Sequence, residues 1–138
     1  MNETNQDLGN QPVIINIHKE TMANTYFRKA IWTGDYLQVT VMSIPAGGEI
    51  GLELHEDTDQ FIRVEYVIGS VYMGKTKQDV KFIGHANSNC AVLIPAGTWH
   101  NIINEQNTPL KVYSIYAPPH HPFGTVHKTK FEADLAED

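Results

Sequence analysis

Pro95-Ala96-Gly97-Thr98-Trp99-His100-Asn101-Ile102-Ile103-Asn104 decides how this chain is read. A Pro-x-Gly turn delivers a histidine to the head of an apolar, β-branched run, which is a strand signal. Upstream lies Glu53-Leu54-His55, then the acidic link Glu56-Asp57-Thr58-Asp59, then Gln60. Side chains alternate faces along a strand, so Glu53 and His55 point one way while Leu52 and Leu54 point the other. Gln60 opens the next run and can fold back beside His55. His100 can close the set from a later strand. A carboxylate buried in an apolar run is costly without a partner, and a divalent metal is a natural one. The plainer alternatives are that Gln60 hydrogen-bonds a loop and that Glu53 pairs with Arg63 at the surface.

Outward from this core, short apolar or alternating runs fill the chain: 12–17, 27–32, 37–44, 50–55, 61–68, 70–73, 79–83, 91–94, 100–103 and 110–116. Turn-formers separate them, including Thr33-Gly34-Asp35, Pro45-Ala46-Gly47-Gly48 and Gly74-Lys75. None shows a sustained helical period. Many short strands at close spacing predict an all-β sandwich or barrel. Residues 18–24 read as a helical turn or loop. The segment 117–127 is too dense in Pro and Gly for regular structure. The end, 128–138, has Phe131 and Leu135 four apart and predicts a short helix or tail. Residues 1–11 read as a flexible tail, and 12–127 as one barrel domain with a C-terminal strap.

The chain has 138 residues, 41% hydrophobic and 19% charged, with a net charge of −6. That suits a single domain with one core. Only 10 Lys and Arg are present, spread thinly, which argues against nucleic acid and anionic membrane surfaces as partners. Cys90 is the single cysteine, so no internal disulfide forms, and its strand setting reads as packing rather than nucleophilic chemistry. The first ten residues are polar and no run approaches a membrane span, so a cytoplasmic protein is expected.

The spacing of these residues resembles the cupin family. That family's second motif, Pro-x-Gly-x-x-His-x-x-x-Asn, is complete as Pro95, Gly97, His100 and Asn104. The glycine usual six residues before the proline is Asn89 here. The first motif is altered: Gly48 or Gly51 lies upstream, and Glu53 stands where its first His would be. His55 fills the second His position and Gln60 the place of the Glu. The closing Gly position is Val67, with Gly69 two residues on. The resemblance spans roughly residues 37–117. It implies a double-stranded β-helix, the cupin jelly-roll barrel, holding one divalent metal on Glu53, His55, Gln60 and His100. Two imidazoles, a carboxylate and an amide oxygen suit Zn, Mn, Fe(II), Co or Ni. The ligand types match mannose-6-phosphate isomerase-like cupins, but with the Gln and Glu exchanged in order. The resemblance also implies a homodimer, and an Asn104 that fixes the turn after His100.

Three functional classes follow. One is a metal-dependent enzyme (isomerase, oxygenase or lyase) acting on a small polar metabolite of sugar or carboxylate type. The second is a non-enzymatic binder of such a ligand, and the third a cupin whose metal is structural. Few Lys or Arg are expected to face inward, which counts against a sugar-phosphate isomerase. His120 and His121 either cover an apolar edge or fold over the barrel mouth. Of the strap histidines, His127 is the one expected to be buried. Tyr113 and Tyr116 lie on opposite faces of one strand, so one of them reaches the pocket.

Overall fold

A computed structural model describes residues 7–136. The elements run α1 (Ile17–Ala23), β1 (Arg28–Thr33), β2 (Gln38–Ile44), β3 (Asp59–Tyr66), β4 (Ile68–Gly74), β5 (Lys81–Asn87), β6 (Ala91–Ile94), β7 (Trp99–Ile103), β8 (Leu110–Ala117), β9 (Val126–His127) and α2 (Lys130–Ala136). One sheet has six strands in the order β6-β3-β8-β2-β1-β9, and the other has three in the order β5-β4-β7. The two face each other as a jelly-roll barrel. Among the described residues, no helix is long and apolar enough to cross a membrane.

The run at 12–17 does not form the expected strand. Residues 12–16 have no regular structure, and Ile14 is fully exposed, so this apolar stretch finds no sheet to join. Asn16 instead caps α1, its side chain accepting from the Lys19 N–H. Residues 7–11 are anchored to the barrel, with the Leu8 N–H on the Ile31 carbonyl and the Asp7 carboxylate accepting from the Thr33 hydroxyl. Residues 1–6 of the expected tail lie outside the described residues.

Period-two burial is strict in β3 and β8, where Gln60, Ile62 and Val64 face inward with Leu110, Val112, Ser114 and Tyr116. Register then sorts the inner wall into rows. Gln38, Tyr116 and Gln60 lie side by side, then Thr40, Ser114 and Ile62, then Met42, Val112 and Val64. One end of the barrel is therefore apolar, and Ile44, Leu110 and Ile102 fill it together with Phe27 and Ile50. The other end is polar, and this gradient positions the site.

Two corners carry side chains in the left-handed region. Val67 (φ 65°) makes the corner where β3 leaves one sheet and β4 enters the other, and Asn89 (φ 78°) turns the chain from β5 into β6. These are the two positions where the cupin motifs place glycine. Asn tolerates the conformation, but a β-branched valine does so only under strain. Asn104 is fully buried. Its amide nitrogen donates to the carbonyls of Ile44, Pro45 and Thr108, and its oxygen accepts from the Gln106 N–H, so it pins the turn after β7 as expected.

Candidate metal centre

Residues 49–55 run along β7 without forming a regular strand. They make bridges at Glu49–Ile103 and Glu53–His100, because Gly51 (φ 108°) bends the chain between them. The expected strand at 50–55 is thus reduced to isolated bridges, yet the alternation argument survives locally. Glu53 and His100 exchange reciprocal backbone hydrogen bonds of 2.9 and 3.0 Å, which places their side chains on one face. The Gly97 N–H donates to the His55 carbonyl at 2.9 Å, so the Pro-x-Gly turn (Gly97 φ 81°) fastens the end of the same segment. Glu53, His55 and His100 converge, each offering one ligand atom, with all of these atoms within 4.8 Å of one another.

The state of these groups fits a metal. The His100 Nδ1 lies 2.9 Å from the Thr98 carbonyl, so it carries the proton and leaves the Nε2 lone pair free. That Nε2 is buried with no hydrogen-bond partner, as are both nitrogens of His55 and the Oε1 of Gln60. Glu53 Oε1 stands 3.2 Å from His55 Nε2 without hydrogen-bond geometry. Two donors about 2.1 Å from one ion and roughly at right angles stand about 3 Å apart. Buried lone pairs that aim at one space and find no proton there are what a cation would satisfy.

Burial pushes Glu53 up, but the His55 contact and the positive field of Arg28 outweigh it and hold the carboxyl below its ordinary value. Burial pushes His100 down, against the Thr98 hydrogen bond, which keeps the imidazole neutral. Gln60 is buried on the inner face, paired across the sheet with Tyr116 and with Ile94, and its Nε2 reaches Ser114 Oγ at a long 3.5 Å. Tyr116 is the inward tyrosine. Its ring packs edge-on to His55 at 5.8 Å, whereas Tyr113 stacks on Phe61 outside the barrel. Arg63 does not meet Glu53. It faces outward to Glu65 and Asn89.

Several neighbours of the centre were not anticipated as site residues. Arg28 is 1% exposed, with Nη2 at 3.5 Å from Glu53 Oε2 and Nη1 at 3.3 Å from His127 Nδ1. Arg28 is thus one of the few cations that face inward, and it stands beside the centre. The strap over the mouth carries histidines inward. The His120 ring lies 3.9 Å from that of His55, and His121 packs edge-on to Tyr116 at 5.1 Å. His127 is buried as expected, and His121 is buried as deeply. Burial moves His120 down to about 4 and His121 down to about 2, with His55 and Arg28 adding to both shifts and Glu53 opposing that of His120. His120, His121 and His127 line a cavity of about 250 Å³ beside the centre, with Pro122, Thr125 and Ala136.

No protein-family model matches the chain. The chain is 53% identical over 133 residues to YrkC of Bacillus subtilis, described as uncharacterized, covering 96% of this chain and 72% of that one. The crystal structure of BH2720 from Bacillus halodurans superposes with a TM-score of 0.92 at 54% identity, covering 94% of this chain and 98% of that one. A cupin domain from Bordetella pertussis shares the fold at 21% identity, with a TM-score of 0.54 over 67% of this chain and 92% of that one. The likeness to YrkC puts the chain in one family with that protein, and the jelly-roll topology with the structural likenesses shows that it has the fold of a small cupin.

Proposed function

We propose that the polar end of the barrel is a mononuclear metal centre that binds, and in the enzymatic case transforms, a small polar metabolite. Glu53, His55 and His100 would hold the ion, with Gln60 Oε1 as a fourth donor. The observation that carries this reading is the set of buried, unpartnered lone pairs on His55, Gln60 and His100 around the Glu53 carboxylate. An ion held there is a Lewis acid toward a bound oxygen.

The chain's own residues have definite parts. The Thr98 carbonyl fixes the His100 tautomer, and Arg28 holds Glu53 ionised. Tyr116, which burial pushes up to about 12, stays protonated and can donate beside His55. The strap sets the exposed His120 against His55 and the buried His121 against Tyr116 at the mouth. A cytoplasmic homodimer is part of the proposal. Exposed Phe82 and Ile83 on β5 and Leu93 on β6 offer an apolar surface to a second copy.

Elemental analysis of the purified protein is expected to give about one transition metal per chain. His55→Ala and His100→Ala are each expected to lose it while keeping native circular dichroism. Full occupancy in both variants would refute the site.

A further inference from the structure

A metal accounts for the lone pairs in the barrel mouth but not for a second kind of orphan. Arg28 Nε is a buried donor with no hydrogen-bond partner, and a cation cannot satisfy a donor. The buried Thr40 hydroxyl has no partner of good hydrogen-bond geometry, and both Thr40 and Arg28 reach the Tyr116 hydroxyl. After metal loading, the mouth therefore still presents donors converging from β1, β2 and β8.

Charge leads to the same conclusion. Glu53 is the carboxylate whose field reaches His100, Tyr116 and His120, and Glu132 reaches His127 alone. A divalent ion beside Glu53 and Arg28, with neutral histidine and amide ligands, leaves two positive charges uncompensated among side chains that are mostly buried. Buried charge is retained only when paired, so the missing partner is an anion. A carboxylate matches both demands, since its two coplanar oxygens accept the guanidinium fork while remaining open to a metal.

We infer that the ligand of this centre is a small carboxylate anion received by Arg28, with Thr40 and Tyr116 as further donors. The inference rests on the metal centre proposed above. It assigns the ligand to the carboxylate class rather than to neutral sugars, and it gives Arg28 a binding role beyond steadying Glu53.

The test is calorimetric titration of the metal-loaded protein with lactate, malonate, inorganic phosphate and lactamide, the last being lactate with its charge removed. Lactate is expected to bind at least about tenfold tighter than lactamide. Arg28→Gln is expected to abolish that preference, with lactate and lactamide compared on protein whose metal content has been measured by elemental analysis. Arg28→Lys, which keeps the charge but loses the Nε donor, is expected to weaken lactate binding only in part. Equal binding of lactate and lactamide by the wild type overturns the inference, as does a full preference retained in Arg28→Gln. Phosphate binding tighter than either carboxylate also overturns it and assigns the site to phosphate esters. If Arg28→Gln does not fold, the wild-type comparison and Arg28→Lys decide. A wild-type protein that takes up no metal removes the metal centre and the inference together. Metal uptake without carboxylate preference removes the inference alone.

Discussion

Replacing Gln60 with leucine separates a ligand from a structural amide. Gln60 is 5% exposed, its Oε1 has no partner, and its Nε2 meets Ser114 only at 3.5 Å. An unsatisfied buried carbonyl costs about 1–3 kcal/mol. Leucine removes that penalty and adds apolar contact beside Ile94 and Tyr116, at the loss of one long hydrogen bond worth about 0.5 kcal/mol. The metal-free Gln60→Leu protein is therefore expected to be about 1–2 kcal/mol more stable than wild type. Metal acts against this order. Loss of a donor that lowers affinity by about 10–100-fold removes about 1.4–2.7 kcal/mol of ligand-linked stabilisation at saturating ion. Urea unfolding in a chelator and again in excess Zn²⁺ or Mn²⁺ reads both effects. A variant that is less stable than wild type in chelator, and binds metal equally well, would refute the reasoning and make Gln60 a structural residue.

Three further outcomes are expected. Val67→Gly should be about 1 kcal/mol more stable than Val67→Ala in urea unfolding, because φ is 65° at this corner; at an ordinary strand position the alanine would win. Without metal, the protein should lose stability as pH falls. His121 is held near 2 chiefly by burial, so below about 6.5 the unfolded chain takes up a proton that the folded one refuses. Between pH 7 and pH 5 this amounts to about 2 kcal/mol, and His121→Gln should remove that part of the pH dependence. Size-exclusion chromatography with light scattering should find a dimer, and Ile83→Lys with Leu93→Lys should give a monomer that still binds metal; a wild-type monomer would dismiss the proposed interface.

The strands were legible where burial has a period of two. The runs at 61–68, 91–94 and 110–116 match β3, β6 and β8 closely because those strands bury one face only. The run at 12–17 failed because apolar content without a neighbouring strand to pair with does not make a strand. The ligand group was legible because Glu53 and His55 sit two apart and the Pro-x-Gly turn fixes His100, relations that are local in sequence. Arg28 was readable and missed. Arg28 and Lys29 are adjacent in one strand, so alternation turns them to opposite faces, and in a sheet closed into a barrel one of them must point in. The strap histidines carry no such signal, since a Pro-rich loop has no period and its path is set by the surface it crosses.

The polar wall is the feature that most needs a physical account. Gln38, Thr40, Gln60, Ser114, Tyr116 and Arg28 occupy inner positions that apolar residues hold at the other end of the barrel. A fold that needed only stability would place leucine or valine at those positions, where they would not leave Arg28 Nε, Thr40 Oγ1 and Gln60 Oε1 unpartnered. The Gln38 amide shows what a purely structural polar residue does there. It accepts from the His120 and His121 N–H groups and donates to the Thr33 hydroxyl and the His121 carbonyl, with both ends of the amide engaged. Apart from Arg63 Nε, which faces outward 3.2 Å from Glu65, the orphans lie on residues at the polar end of the barrel, and they divide by chemistry. Lone pairs lie on one nitrogen of His55, on Gln60 and on His100, and donors on Arg28 Nε and the Thr40 hydroxyl. One cation satisfies the first group and one anion the second, so a metal alone leaves half of the imbalance in place. A protein loaded with metal and carboxylate should accordingly unfold at a higher temperature than one loaded with metal alone, and Arg28→Gln should erase that increment.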